Sequence, residues 1–249
     1  MFINSKLDYE NYWDNSYTHN RHPSVRLRNR FILDQLTRIK FDSVVDVGCG
    51  DGYLINIIKE NFPGKKLSGL DISKNIIEIN KSKFNDINFQ QLDISNNHLD
   101  FNDKHDVVIC SEVIEHLVDW QTALTNLVNF LNDNGYLILT TQSGKRYKND
   151  IDNGHLQHYD LNFLENKLND LGIKAIRSYK KGYPFYNLQK WLYDKNEGIA
   201  KGYQRGTKGM SFIGNLLFNI AYFLFSITPR SRRIGPQIFI LARKEEQYL

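Results

Sequence analysis

The chain has 249 residues, a length at which one hydrophobic core covers both faces of a parallel sheet, so a single elaborated domain spanning 1–249 is expected. Hydrophobic residues at 41% and charged residues at 24% exclude a disordered chain, and two cysteines exclude a disulfide scaffold. The net charge of +4 is uneven: residues 200–249 hold eight Lys or Arg against two Glu, which leaves the main part slightly acidic and argues against a nucleic-acid partner.

The first residues, MFINSKLDYENYWDN, are acidic and polar where an export signal needs a basic start and an apolar run, which points to a cytoplasmic protein. Tyr9, Tyr12, Trp13 and Tyr17, beside His19 and His22, suit an apolar wall over a site. Helical spacing over 25–39 makes 1–40 an N-terminal helical cap. The β-branched run 43–47 reads as a strand that stops at glycines, and 53–60 resumes helical spacing. The alternation continues with strands 67–72, 87–92, 106–110, 136–141, 173–178 and 237–243, and helices 74–82, 120–131 and 160–171. This predicts an α/β fold with a doubly wound, mostly parallel seven-stranded sheet. Cys49 and Cys110 fall in or at the ends of apolar runs and are expected to be buried, reduced thiols.

Before the last strand, 182–235 breaks the rhythm as an α-helical insert. Within it, 212–228 is apolar apart from one line of Asn215, Asn219, Tyr222 and Ser226, and is shorter than the roughly 20 residues that span a bilayer. Lys201, Arg205 and Lys208 precede it; Arg230, Arg232 and Arg233 follow. A lid, a homodimer face, or a peripheral contact with the inner membrane surface or a lipid-linked substrate would each use such a segment.

The loop after the first strand, 44-VVDVGCGDGYL-54, holds Gly48, Gly50 and Gly52 behind Asp46. A nicotinamide-binding fingerprint starting at Gly48 requires glycine at position 53, where Tyr53 stands. The loop instead resembles that of class I S-adenosylmethionine-dependent methyltransferases, in the branch of ubiquinone- and sugar-type O-methyltransferases. The resemblance covers about 45–180 and the last strand. It includes 69-GLDIS-73, 92-LDI-94 and 106-DVVICSEVIEHL-117, the last ending in an acidic-x-x-Glu-His segment.

The resemblance implies a Rossmann-like fold and S-adenosyl-L-methionine as cofactor. It implies that Asp46 organises the loop and orients the methionine amino group, while Gly48, Cys49, Gly50 and Gly52 line the methionine end. Asp71 would accept ribose hydroxyls with Ile72 against the adenine. Asp93 would accept from the adenine amino group beside Ile94, and Ser111 ends the set. Turn or helix capping is the other reading for Asp71 and Asp93, and a purely structural turn for the glycines.

Methyl transfer to a hydroxyl needs alignment, exclusion of water and a proton acceptor, and His116, His155 and His158 are the candidates for base or acceptor orienter. A structural hydrogen-bonding role is the other reading for each. Glu112, Glu115, His116 and His158 resemble in kind the metal site of small-RNA 3′-terminal 2′-O-methyltransferases, but the elements between them match poorly and no metal ligand is assigned. The expected function is methyl transfer to a small-molecule acceptor: a sugar, glycan precursor, quinone or secondary metabolite. The alternatives are a metal-dependent RNA 2′-O-methyltransferase and a non-catalytic, membrane-associated partner protein that keeps the fold.

Overall fold

Strands β1 (Ser43–Val47), β2 (Lys66–Asp71), β3 (Asn88–Gln91), β4 (His105–Ser111), β5 (Leu131–Gln142), β6 (Ile173–Lys181) and β7 (Gln237–Lys244) form one sheet in the order β3-β2-β1-β4-β5-β7-β6. The first five strands in that order run parallel, and β7 is antiparallel to both β5 and β6. The structure is a computed structural model that describes residues 19–196 and 212–245. Tyr9, Tyr12, Trp13 and Tyr17, the side chain of His19, and Lys201, Arg205 and Lys208 lie outside the described residues.

Helices α1 (Pro23–Leu36), α2 (Tyr53–Asn61), α3 (Lys74–Lys83), α4 (Trp120–Asn129), α5 (Lys148–Asp152), α6 (Leu161–Asp170), α7 (Phe185–Lys195) and α8 (Phe212–Ile227), with 3-10 turns at His19–Arg21 and Ile114–His116, complete the described elements. Because side chains alternate along a strand, β1 sends Val45 and Val47 to one face and Val44 to the other. The first face is covered by Leu124 and Leu127 of α4 and Leu164 and Leu168 of α6. The second is covered by Phe31 and Ile32 of α1, Ile55 and Ile58 of α2, and Ile76 and Ile77 of α3. Central strands buried on both faces explain the near-continuous apolar runs.

The helix starts have local causes. Pro23 opens α1, where its missing N–H costs nothing. Ser73, Asp119 and Asp160 each accept an amide hydrogen at the N-terminus of α3, α4 and α6. Strand β5 starts at Leu131, not at 136, and Leu131 pairs with His105 ahead of an irregularity in the β4–β5 ladder, so α4 stops at Asn129. Helix α5 and a 3-10 turn at Ile114–His116 are too short for a hydrophobic period to register.

Helix α8 lies along α1. Phe218 and Phe225 pack into the body of the protein, and its polar line runs beside Arg21 and α1. Arg21 donates to Asn215 Oδ1 (3.2 Å), Arg26 to Asn219 Oδ1 (2.8 Å) and Arg30 to Tyr222 Oη (3.4 Å). Among the described residues no helix is long and apolar enough to cross a membrane.

Candidate active site

The glycine loop turns where β1 ends. Gly48, Gly50 and Gly52 all have positive φ, and Gly52 caps α2 from the left-handed region. The amides of Gly48 and Cys49 both donate to the Leu70 carbonyl, at 2.7 and 3.0 Å, which ties the loop to β2. An added Cβ at Gly48 would fall 2.3 Å from Val113 Cγ2, and one at Gly52 would fall 2.9 Å from Phe84 Cε2. The backbone therefore packs against Val113 and Phe84 too closely for a side chain at either position.

Asp71, at the end of β2, grips this loop: its Oδ2 accepts the Gly50 amide at 2.9 Å and its Oδ1 the Ser73 amide at 3.0 Å. Asn80 of α3 donates to the Gly50 carbonyl at 2.7 Å. Asp46 is buried beneath the loop. Desolvation, reinforced by Asp71 and Asp51, raises its pKa to about 7. Asp93 follows β3, and its Oδ1 accepts both the amide (3.0 Å) and the hydroxyl (2.6 Å) of Ser95, a local turn that leaves Oδ2 outside it. Ile72 is half-buried and Ile94 buried. Cys49 and Cys110 are both buried and form no disulfide, and burial pushes both thiols up. Ser111 shares a 2.8 Å hydrogen bond with Thr140 across β4 and β5. The glycine loop, Asp71 and Asp93 thus follow three adjacent strands of one sheet edge.

A second cluster sits after β4 and β5. Glu112 has φ 59°, and its carboxylate accepts from Gln142 (2.5 Å) and Gln237 (2.7 Å) with Arg28 of α1 at 3.6 Å. Burial works to raise this carboxyl, and Arg28 with the two amides more than offsets it, so its pKa is lowered. Lys190 of α7 reaches Gln142 Oε1 at 3.0 Å and Asp150 at 2.9 Å. Glu115 is fully buried, accepts from Thr141 at 2.8 Å through one oxygen, and carries no hydrogen bond on the other. Burial, then Glu112, raises its pKa well above the usual range.

The histidines meet in this cluster. The Glu115 carbonyl accepts the amides of Leu156 and Gln157, which fastens the histidine loop to the 3-10 turn. His155 Nδ1 lies 3.0 Å from His158 Nε2, and His158 Nδ1 lies 3.2 Å from the Gly144 carbonyl. The carbonyl only accepts, so neutral His158 carries its proton on Nδ1 and accepts at Nε2, His155 donates from Nδ1, and His155 Nε2 is left as the basic atom. Desolvation, then Lys190, pushes His158 down to about 4. Desolvation, then His116 and His158, pushes His155 lower still, and His116 is lowered by burial. His116 packs edge-on against His155, with ring centroids 4.7 Å apart.

Ligand atoms of Glu115, His116 and His155 lie within 4.8 Å of one another, as do those of Asp150, His155 and His158. Neither group is the set Glu112, Glu115, His116 and His158 that the sequence suggested, because Glu112 is engaged by Arg28 and the two glutamines. Sequence reasoning also missed Arg28, Gln142, Asp150, Lys190 and Gln237. Arg28 and Lys190 stand among apolar positions of α1 and α7, and a cation on the buried face of a helix was the signal available.

A family model described as a methyltransferase domain matches residues 17–178. The malonyl-[acyl-carrier protein] O-methyltransferase of Acetivibrio thermocellus is 28% identical over 161 residues, covering 65% of this chain and 52% of that protein. The ubiquinone biosynthesis O-methyltransferase of Rickettsia canadensis is 31% identical over 121 residues, covering 46% of this chain and 50% of that protein. The chain thus spans about half the length of these curated relatives. The solved structure of the N-methyltransferase NodS from Bradyrhizobium japonicum, in complex with S-adenosyl-L-homocysteine, superposes with a TM-score of 0.56 at 14% identity, covering 94% of this chain and 93% of that one, a likeness of fold.

Proposed function

The chain belongs to the methyltransferase-domain family, and we propose that it transfers the methyl group of S-adenosylmethionine to a hydroxyl oxygen of a small-molecule acceptor. A sugar, glycan precursor, quinone or secondary metabolite is the acceptor class. The observation that carries the reading is the coupling of the glycine loop to Asp71 through the Gly50 amide. A tight glycine turn beside a carboxylate at the next strand end fits an amino acid and a ribose held side by side.

When bound, the cofactor supplies a methyl group activated on a sulfonium. Gly48, Cys49, Gly50 and Gly52 hold its amino acid end, and Asp46 orients the amino group. Asp71 takes the ribose hydroxyls with Ile72 against the adenine. Asp93 accepts from the adenine amino group with Ile94 beside it, and Ser111 closes the set at the end of β4. On the acceptor side, His155 Nε2 takes the hydroxyl proton. His158 holds the tautomer of His155, and His116 fixes its ring. His155 is in its proton-accepting form at pH 7, while its lowered basicity limits the driving force for taking the proton. Buried Cys49 and Cys110, which form no disulfide, support a reducing, cytoplasmic setting.

Calorimetric titration of the purified chain with S-adenosylmethionine and S-adenosylhomocysteine tests this reading. The wild-type chain binds both, and Asp71→Asn weakens binding by about tenfold or more, the cost of lost charge-assisted hydrogen bonds. A folded wild-type chain that binds neither compound overturns the proposal.

A further inference from the structure

Helix α8 is apolar on its outer face as well as its inner one. Its polar line meets Arg21 and the arginines of α1, Phe218 and Phe225 pack inward, and its broadest apolar face points to solvent. Phe212, Ile213, Leu216, Leu217, Ile220, Phe223 and Ile227 are all exposed, Phe212 at 82% and Phe223 at 60%. Helix α7, packed against α8 through Tyr186 and Phe225, adds exposed Leu188, Trp191 and Leu192. So much contiguous apolar surface on one helix face marks a contact with something other than water.

The charge at its border says what. Arg21, Arg26 and Arg30 line one flank of α8, and exposed Arg230 and Arg233 follow its C-terminal end. Helix α8 itself contains no charged residue. A two-fold contact between copies of this chain would bring two arginine borders together, whereas an anionic bilayer offers acyl chains to the apolar face and phosphates to the border. We propose that the outer face of α8, bordered by Arg21, Arg26, Arg30, Arg230 and Arg233, docks the protein on an anionic membrane surface, with α8 lying in the interface plane. The inference is independent of the acceptor and of the cofactor reading.

Flotation of the full chain with vesicles of phosphatidylcholine alone, and with phosphatidylglycerol added, tests it. The chain floats with the anionic vesicles and not with the neutral ones, and is released as salt shortens the screening length. Arg230→Ala with Arg233→Ala lowers partitioning about fivefold per arginine. The combined variant Phe212→Ser, Leu216→Ser, Ile220→Ser and Phe223→Ser abolishes flotation, each buried apolar side chain being worth about tenfold or more. All these positions are exposed, and unchanged circular dichroism confirms folding. Equal flotation with neutral vesicles, or flotation that survives the serine variant, overturns the proposal. So does a chain that stays in solution, whether as a monomer or as a dimer that the serine variant separates in light scattering.

Discussion

A side chain at Gly48 would be strained by its φ of 77° even in open space, and the space is filled by Val113. Gly48→Ala is expected to cost about 1–3 kcal/mol of stability, read by urea denaturation, and to weaken cofactor binding in the same protein. Asp46 makes a different kind of statement. Its pKa rises from 3.8 to about 7 on folding, so its contribution to stability is full below about pH 4 and is lost as pH rises through 7. An ammonium group placed beside it reverses that bias and releases the proton. Cofactor affinity should therefore climb with pH, by up to about tenfold per unit, until about 7, and stay flat in Asp46→Asn. Calorimetry in buffers of different ionisation enthalpy counts the released proton. The histidine pair carries the opposite sign. With His158 at about 4, its stability contribution is full above the ordinary 6.5 and is lost as pH falls toward 4. At saturating cofactor, kcat should show no limb near 6.5, and His155→Ala should lower kcat by about 10²–10⁴ while His158→Ala costs less. A kcat limb at 6.5 would contradict the buried, neutral pair.

At the scale of elements, α1 and α7 carry one cation each into the acceptor side: Arg28 to Glu112 and Lys190 to Asp150. Both pairs are nearly dry, so removing one partner leaves a buried charge. Lys190→Met is expected to cost about 3–5 kcal/mol, and Asp150→Asn in the same chain should recover part of it, a coupling that a double-mutant denaturation cycle measures. The strands and long helices were legible because their apolar periods run for several turns, as in 120-WQTALTNLVNFL-131. Helix α5 was not, because Lys148–Asp152 completes barely one turn, yet it delivers Asp150. The polar line of α8 was legible as a line. That it faces α1 and turns the apolar side outward was not, because it depends on where the arginines of α1 stand in space.

For the whole molecule, ligand binding to the folded state alone adds stability by mass action. At about 100 times its Kd, S-adenosylhomocysteine should add about 2.7 kcal/mol, a rise in Tm of about 5–10 °C for a domain of this size. A scan of Tm against ligand concentration checks both the rise and its logarithmic form. The succession of strands and helices along the chain, the glycine loop and the acidic strand ends were determined by the amino-acid sequence alone, because each depends on residues within a few positions of one another. Only the tertiary structure decided the engagement of Glu112 by Arg28, Gln142 and Gln237, the proton order from Gly144 through His158 to His155, and the outward face of α8. Each of these joins side chains from elements distant in the chain, and local pattern carries no information about which distant groups will meet.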